Sequence, residues 1–87
     1  DQEKNLINQK KHKISFETAA YVFQDKNYIE MYDFEHSTEE DRYIAIGCVG
    51  EVLFVVFTER KENIRLISAR LATESERRLY YDQNIYY

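Results

Sequence analysis

The 87-residue chain has no proline, two glycines and one cysteine. With no proline and no Gly/Ser tract, repeat or low-complexity run, nothing marks a linker or a boundary. One domain over residues 1–87 is expected. Two glycines cannot build a Gly-rich phosphate loop, and there is no nucleophile elbow. Cys48 has no partner for an internal disulfide, so a buried small hydrophobe in a reducing cytoplasm is the simplest expectation. No apolar run approaches the roughly 20 residues that span a bilayer, and no membrane partner is expected. The opening Asp1-Gln2-Glu3-Lys4-Asn5 lacks the apolar centre of a signal peptide.

Positive charge is also scarce. The net charge is −4, which argues against strong nonspecific binding to nucleic acid. The acid is concentrated, however. Residues 15–42 hold eight acids against two bases, whereas residues 1–14 hold four lysines against two acids. Five of the six arginines lie in residues 59–87, so both ends are mildly basic around an acidic middle.

Residues 2–12 suit a polar helix with Leu6 and Ile7 as its strong apolar anchors, and Lys10, Lys11 and His12 in its last turn complement the helix dipole. A second helix is expected from Ser15, as N-cap, to about Phe23. Phe16, Ala19, Ala20 and Phe23 form its apolar stripe. Strands are expected over 27–33, 42–48, 52–59 and 64–70, with an acidic loop over 34–41 and a tight turn at Val49-Gly50-Glu51. Thr73 and Glu76 have the spacing of a capping box that opens a C-terminal helix. The order ααββββα with short links predicts an α+β domain: a small antiparallel meander with helices packed on it.

Residues 58–70 carry the clearest chemical signal. They place Glu59, Arg60, Arg65 and Arg70 around a hairpin turn and along the strand that leaves it. Guanidiniums are permanently charged planar forks that suit phosphate oxygens, and a carboxylate among them can act as a base. Strand parity decides whether they meet. If Glu59 pairs with Asn63, Glu59 and Arg65 share a face. If Glu59 pairs with Ile64, Arg65 takes the opposite face and Arg70 joins Glu59. Arg65 and Arg70 are five apart, so a regular strand splits them and a bulge is needed to unite them. The plain alternative is a surface hairpin with solvated ion pairs, which contribute little energy.

His12, beside Lys11 at a helix end, is the more chemically plausible histidine, against a simple role as dipole partner. His36 reads as a turn residue in the acidic loop. His36 with Glu35, Asp33 and Cys48 makes no recognisable metal spacing, and no metal or other cofactor is expected. Most tyrosines fit strand or helix positions. Tyr80, near Arg77 on the last helix, is the one placed to reach a substrate. Tyr86 and Tyr87 are either disordered or docked on a partner.

Several blocks resemble the BrnT ribonuclease toxins of bacterial type II toxin–antitoxin modules. They are Asn5-x-x-Asn8-x-x-Lys11-His12-x-Ile14-Ser15-Phe16-Glu17, Glu35-His36-Ser37, Thr58-Glu59-Arg60, Arg65-x-Ile67-Ser68-Ala69-Arg70 and Glu76-Arg77-x-x-Tyr80. The resemblance implies a RelE-like fold and metal-independent RNA cleavage in a bacterial cytoplasm. It also implies neutralisation by a cognate BrnA-like ribbon-helix-helix antitoxin, in a 2:2 complex that contacts DNA through the antitoxin. The chain departs from the family pattern in three ways. It starts at the Asp that usually ends a short aromatic strand, it has Lys13 where a glycine is usual, and it is acidic for a ribonuclease.

On that footing the expected reaction is attack by the substrate's own 2′-hydroxyl on the adjacent phosphorus. Glu59, or His12 as second choice, takes the proton. Arg65 and Arg70 stabilise phosphoryl charge, Lys11 and Arg60 position the backbone, and Arg77 and Tyr80 add RNA contacts. The competing expectation is a toxin-like domain without activity that survives as an antitoxin partner or corepressor, with the acidic middle attracting a basic segment.

Overall fold

A computed structural model describes residues 2–84, and the expectations for Asp1, Tyr86 and Tyr87 lie outside that range. The elements are α1 (Gln2–His12), α2 (Phe16–Ala19) continued by a 3-10 helix (Ala20–Gln24), β1 (Ile29–Tyr32), β2 (Tyr43–Val49), β3 (Glu51–Arg60), β4 (Asn63–Leu71) and α3 (Glu74–Asn84). The strands form one antiparallel sheet in the order β1-β2-β3-β4, so the expected α+β meander is present.

The local signals act as their chemistry dictates. Ser15 caps α2 by accepting the Thr18 N–H at 3.0 Å. Thr73 and Glu76 form the reciprocal box: Glu76 accepts the Thr73 N–H at 2.8 Å and donates its own N–H to Thr73 Oγ1 at 3.3 Å. Gly50 turns the β2–β3 hairpin at φ 74. The second helix tightens into the 3-10 form at Ala20, short of the continuous helix expected to Phe23.

The β3 sequence is apolar throughout because both faces of the sheet are covered along much of its length. On one face α2 and the 3-10 helix bring Ala19 and Val22 onto Ala45, Leu53, Val55, Phe57 and Ala69. Burying a side chain such as Phe57 contributes roughly 2–3 kcal/mol. Gly47 permits this approach, because a Cβ there would meet Val22 Cγ1 at 2.8 Å. On the other face α3 lays Tyr80 against Ile46 and Val52, with Ile29, Met31, Ile44 and Phe54 around them. The half of that second face near Val56 and Ser68 is left concave and open.

The first helix corrects the sequence reading. Leu6 and Ile7 are exposed, at 58% and 60%, and the side chains α1 buries are Asn5 and Asn8. Asn8 Oδ1 accepts the Ala69 N–H of β4 at 2.9 Å, and its Nδ2 donates to Ile14 O at 2.7 Å. Asn5 Oδ1 accepts the Phe16 N–H at 2.8 Å, and its Nδ2 donates to Glu17 at 3.0 Å. The helix is held by amides that complete backbone hydrogen bonds, which covers the outer edge of β4. A hydropathy pattern scores these positions as solvent-facing, so it misplaces the buried side.

Two turns place lysine in the left-handed region, Lys13 at φ 64 and Lys61 at φ 55. Lys13 ends α1 with its N–H on Gln9 O at 2.8 Å, and Lys61 opens the two-residue β3–β4 turn. Both conformations are strained for a residue with a Cβ. Lys13→Gly and Lys61→Gly should therefore each stabilise by up to about 1 kcal/mol in denaturant unfolding. Gly47→Ala should destabilise by about 1–3 kcal/mol through its clash with Val22. A neutral Gly47→Ala would show that Val22 does not press on β2 in solution.

Candidate functional site at the edge of the sheet

The β3–β4 register settles the parity question. Glu59 pairs with Ile64, Thr58 with Arg65, Phe57 with Leu66, Val56 with Ser68 and Phe54 with Arg70. Ile67 is the extra residue, a β-bulge opposite the Val56–Phe57 step. The bulge reverses the alternation beyond it. Arg65, Ser68 and Arg70 therefore share one face with Thr58 and Arg60, and Glu59 sits on the other with Phe57 and Leu66. The sequence reading required a bulge to unite Arg65 with Arg70, and the bulge is there. It does not bring Glu59 with them.

Glu59 lies instead at an acidic and aromatic end of the opposite face. Burial raises the Tyr28 phenol, and the charges of Glu30 and Glu59 raise it further. Burial, then Asp41 and Glu59, does the same for Tyr43. Among the described residues no ion pair joins Glu59 to an arginine.

The arginines divide by partner. Arg70 is tied to Glu76 by two hydrogen bonds of 2.8 and 3.0 Å, and its guanidinium lies 4.0 Å over the Phe54 ring. That fork fastens β4 to the first turn of α3. Burial pushes the Glu76 carboxyl up, but Arg70 and the Thr73 N–H together outweigh it and hold it below its usual range. Arg60 meets Glu40 at 3.2 Å in an exposed pair of little energetic weight. Arg65 makes no ion pair among the described residues, and it lines a depression with Phe16, Arg60, Asn63, Ile64 and Leu66.

His12 and Lys11 line a second depression, between α1 and β4, with Asn8, Ile67 and Ser68 among its walls. Ile67 and Ser68 also form a wall of a third, on the open sheet face, shared with Asp33, His36 and Arg42. The bulge thus stands as a ridge between two concavities, each holding a histidine and a cation. Arg65 precedes Ile67 by two residues, on the order of 7 Å along a strand. The His36 hollow was missed in the sequence, where His36 read as a turn residue. The signal was the Asp33–His36 spacing taken together with Arg42, which only the loop's closure brings alongside. Among the described residues no group of three or more His, Cys, Asp or Glu side chains is arranged to hold a metal ion. No helix among them is long and apolar enough to cross a membrane.

A sequence profile for BrnT, the ribonuclease toxin of type II toxin–antitoxin systems, matches residues 1–76. No curated protein sequence matches the chain. The match covers most of the chain, which therefore belongs to the BrnT ribonuclease toxin family, whose members have an antitoxin as partner and RNA as substrate.

Arg77 and Tyr80 lie beyond the matched span. Arg77 is exposed on α3 and lines none of the three depressions. Tyr80 is buried, with its hydroxyl donating to Asp25 Oδ2 at 2.5 Å, so its ring is packed away from any substrate. Asp25 also accepts the Cys48 N–H at 2.8 Å and the Asn27 N–H at 2.9 Å. Burial pushes the Asp25 carboxyl up, but these three donors together hold it below its usual value of 3.8. Glu76 is likewise held below 4.5. Both carboxyls have folded values below their unfolded ones. Their stabilisation is complete above about pH 4.5 and is lost as pH falls through the depressed folded values. Tyr80→Phe should lower stability by about 1–3 kcal/mol and weaken this acid dependence, because Asp25 loses one donor. Denaturant unfolding between pH 2 and pH 6, in about unit steps, measures both effects. An unchanged acid profile would show that the Tyr80–Asp25 bond does not form.

Proposed function

We propose that this BrnT-family chain is an endoribonuclease that needs no metal and cuts RNA by 2′-hydroxyl attack, carried by a single domain over residues 1–87. His12 is the proton acceptor in this reading, in place of Glu59. The observation that carries it is the shared hollow of His12 and Lys11 against the Ile67–Ser68 ridge, with Arg65, which makes no ion pair among the described residues, two residues before Ile67 in a neighbouring depression. The nucleophile comes from the substrate, so the protein must supply only a base, cations and orientation.

In this mechanism the 2′-O–H proton passes to His12 as O2′ bonds to phosphorus. Arg65 compensates charge on the non-bridging oxygens. Lys11 and Arg60 hold neighbouring phosphates, Arg60 exchanging the exposed Glu40 for a phosphate oxygen. Arg70 keeps α3 on the sheet through Glu76 and acts on the site only by holding β4 in place. The products are a 2′,3′-cyclic phosphate and a 5′-hydroxyl. In this reading the chain works in the bacterial cytoplasm, as expected of a toxin–antitoxin partner that acts on cellular RNA.

The antitoxin in this proposal is a BrnA-like ribbon-helix-helix protein in a 2:2 complex, with DNA contacted by the antitoxin. Its basic segment is drawn to the acidic loop over 34–41, where Phe34 is 86% exposed beside Tyr32. The same surface also serves the competing reading of an inactive antitoxin partner, which the separation of Glu59 from the arginines favours. Growth on expression without antitoxin separates the two, because an inactive partner leaves growth normal.

Purified chain, freed of antitoxin, should cleave RNA in EDTA to cyclic-phosphate ends. His12→Ala and Arg65→Ala should each lower the rate about a hundredfold or more, and Glu59→Gln should stay near the parent rate. Cleavage that stops in EDTA, or parent rates in both His12→Ala and Arg65→Ala, would reject this mechanism.

A further inference from the structure

The loop between β1 and β2 holds a histidine that the mechanism above does not use. Its neck is closed by backbone and hydroxyl. Asp33 N–H donates to Arg42 O at 2.9 Å, extending the β1–β2 ladder by one step. Ser37 Oγ donates to Asp33 O at 2.6 Å and accepts the Arg42 N–H at 2.8 Å. This closure brings Asp33 and Arg42 side by side on the open sheet face.

His36 is fixed by the same residue. Its backbone N–H donates to Asp33 Oδ1 at 3.3 Å, and its Nδ1 lies 3.0 Å from Asp33 Oδ2. The Asp33 side chain is only 10% exposed, whereas the imidazole is 61% exposed. An ionised carboxylate has no proton to give, so Nδ1 carries the hydrogen of that bond. Nε2 is then the atom left to face a ligand, in an orientation set by a buried carboxylate. A pair that served only to close the loop would duplicate what Ser37 already does. The ring stands instead over a hollow lined by Asp33, Arg42, Val56, Ile67 and Ser68.

Ile67 and Ser68 are also walls of the hollow that holds His12. A phosphodiester crossing that ridge has one imidazole on each side. In-line displacement at phosphorus needs a base at the entering oxygen and an acid at the leaving one, on opposite sides. From this geometry we infer that His36, held by Asp33, is the general acid that protonates the leaving 5′-oxygen, an inference that rests on the reaction proposed above. As O2′ loses its proton to His12 and bonds to phosphorus, the P–O5′ bond breaks. In the reacting state His36 is the imidazolium, with one proton on Nδ1 held by Asp33 and one on Nε2, and the Nε2 proton passes to O5′. The protein ends with His12 protonated and His36 neutral, and return to the starting state moves one proton back through solvent. Arg42, in the same hollow, neutralises the leaving side of the phosphoryl group.

A leaving group that needs no proton separates this role from binding or folding. Two substrates are compared with the purified chain: a dinucleotide, and a nucleoside 3′-phosphate esterified with 4-nitrophenol. His36→Asn should lower dinucleotide cleavage about a hundredfold or more while keeping most of the rate on the nitrophenyl ester. Asp33→Asn, which misorients the ring, should show the same selectivity with a smaller loss. His12→Ala should lose both activities. Equal losses on the two substrates in His36→Asn, or no loss on either, would overturn the assignment of His36. A parent chain inert on both, or His12→Ala active on both, would overturn the reaction itself and the inference with it.

Discussion

One unpaired residue governs which side chains meet. Ile67 bulges from β4 opposite the Val56–Phe57 step, and the alternation of faces reverses across it. Without the bulge, Arg65 and Arg70 point to opposite sides of the sheet. With it, Arg65, Ser68 and Arg70 share a side, and Ile67 with Ser68 becomes a ridge between two hollows. The bulge is held from outside the sheet. Asn8 accepts the Ala69 N–H two residues past Ile67, and on the inner side Ala69 still pairs with Val55. A slip of β4 by one residue would break that bond and move Ala69 out of the core, so the register that forms the ridge is coupled to the packing of α1 and α2.

The same coupling explains how a small chain keeps a polar helix on a sheet. An 87-residue chain buries a modest core, and α1 adds little apolar area to it. Its contribution is hydrogen bonding. Asn5 and Asn8 serve the first N–H of α2, the Ile14 carbonyl and the outer edge of β4. Each would otherwise be a backbone group buried without a partner, which costs about 1–3 kcal/mol apiece. At the opposite end of the sheet Asp25 plays the corresponding part, joining the end of the 3-10 helix, β2 and α3 through Asn27, Cys48 and Tyr80. These hydrogen bonds tie α1 and α3 to the sheet that carries the groups used in the proposed reaction.

What was legible in the sequence was local. Ser15, Gly50, Thr73 and Glu76 act within a few residues of themselves, so their identity reveals the cap or turn they form. The apolar run of β3 likewise marks a central strand covered on one face and over part of the other, which stays open at Val56. What was not legible depends on partners far along the chain. The pairing of Glu59 with Ile64 is set by a two-residue turn that opens on a lysine at positive φ, a position where sequence rules look for glycine or asparagine. The bulge has no composition signature. Asn5 and Asn8 are polar and periodicity assigns them to water. His36 gains an orienting carboxylate only when Ser37 closes the loop on Arg42. The resemblance of the Lys11-His12 and Ile67-Ser68-Ala69-Arg70 blocks to BrnT toxins carried the family, but no single block shows that these two stretches share a wall.

The acidic composition is the apparent obstacle to an RNA site, and part of it lies away from the two hollows or is already paired, although Glu35, Glu39 and Glu40 stay in the loop that carries His36. Glu30, Asp41 and Glu59 gather at the tyrosine-rich end of one face, as their joint effect on Tyr43 shows. Glu76 and Glu40 are each matched to an arginine. The ridge is bordered by Lys11, His12, His36 and Arg42, and among the described residues Asp33 is the carboxylate lining its two hollows, engaged with an imidazole. Interactions between exposed charges fade over roughly 8–10 Å at physiological salt. In the proposed reaction a phosphate on the ridge would meet Lys11, His12, His36 and Arg42 at close range. Such a surface suits a short stretch of phosphodiester held at close range. It is poorly suited to the long, salt-sensitive grip of a strongly basic RNA-binding protein.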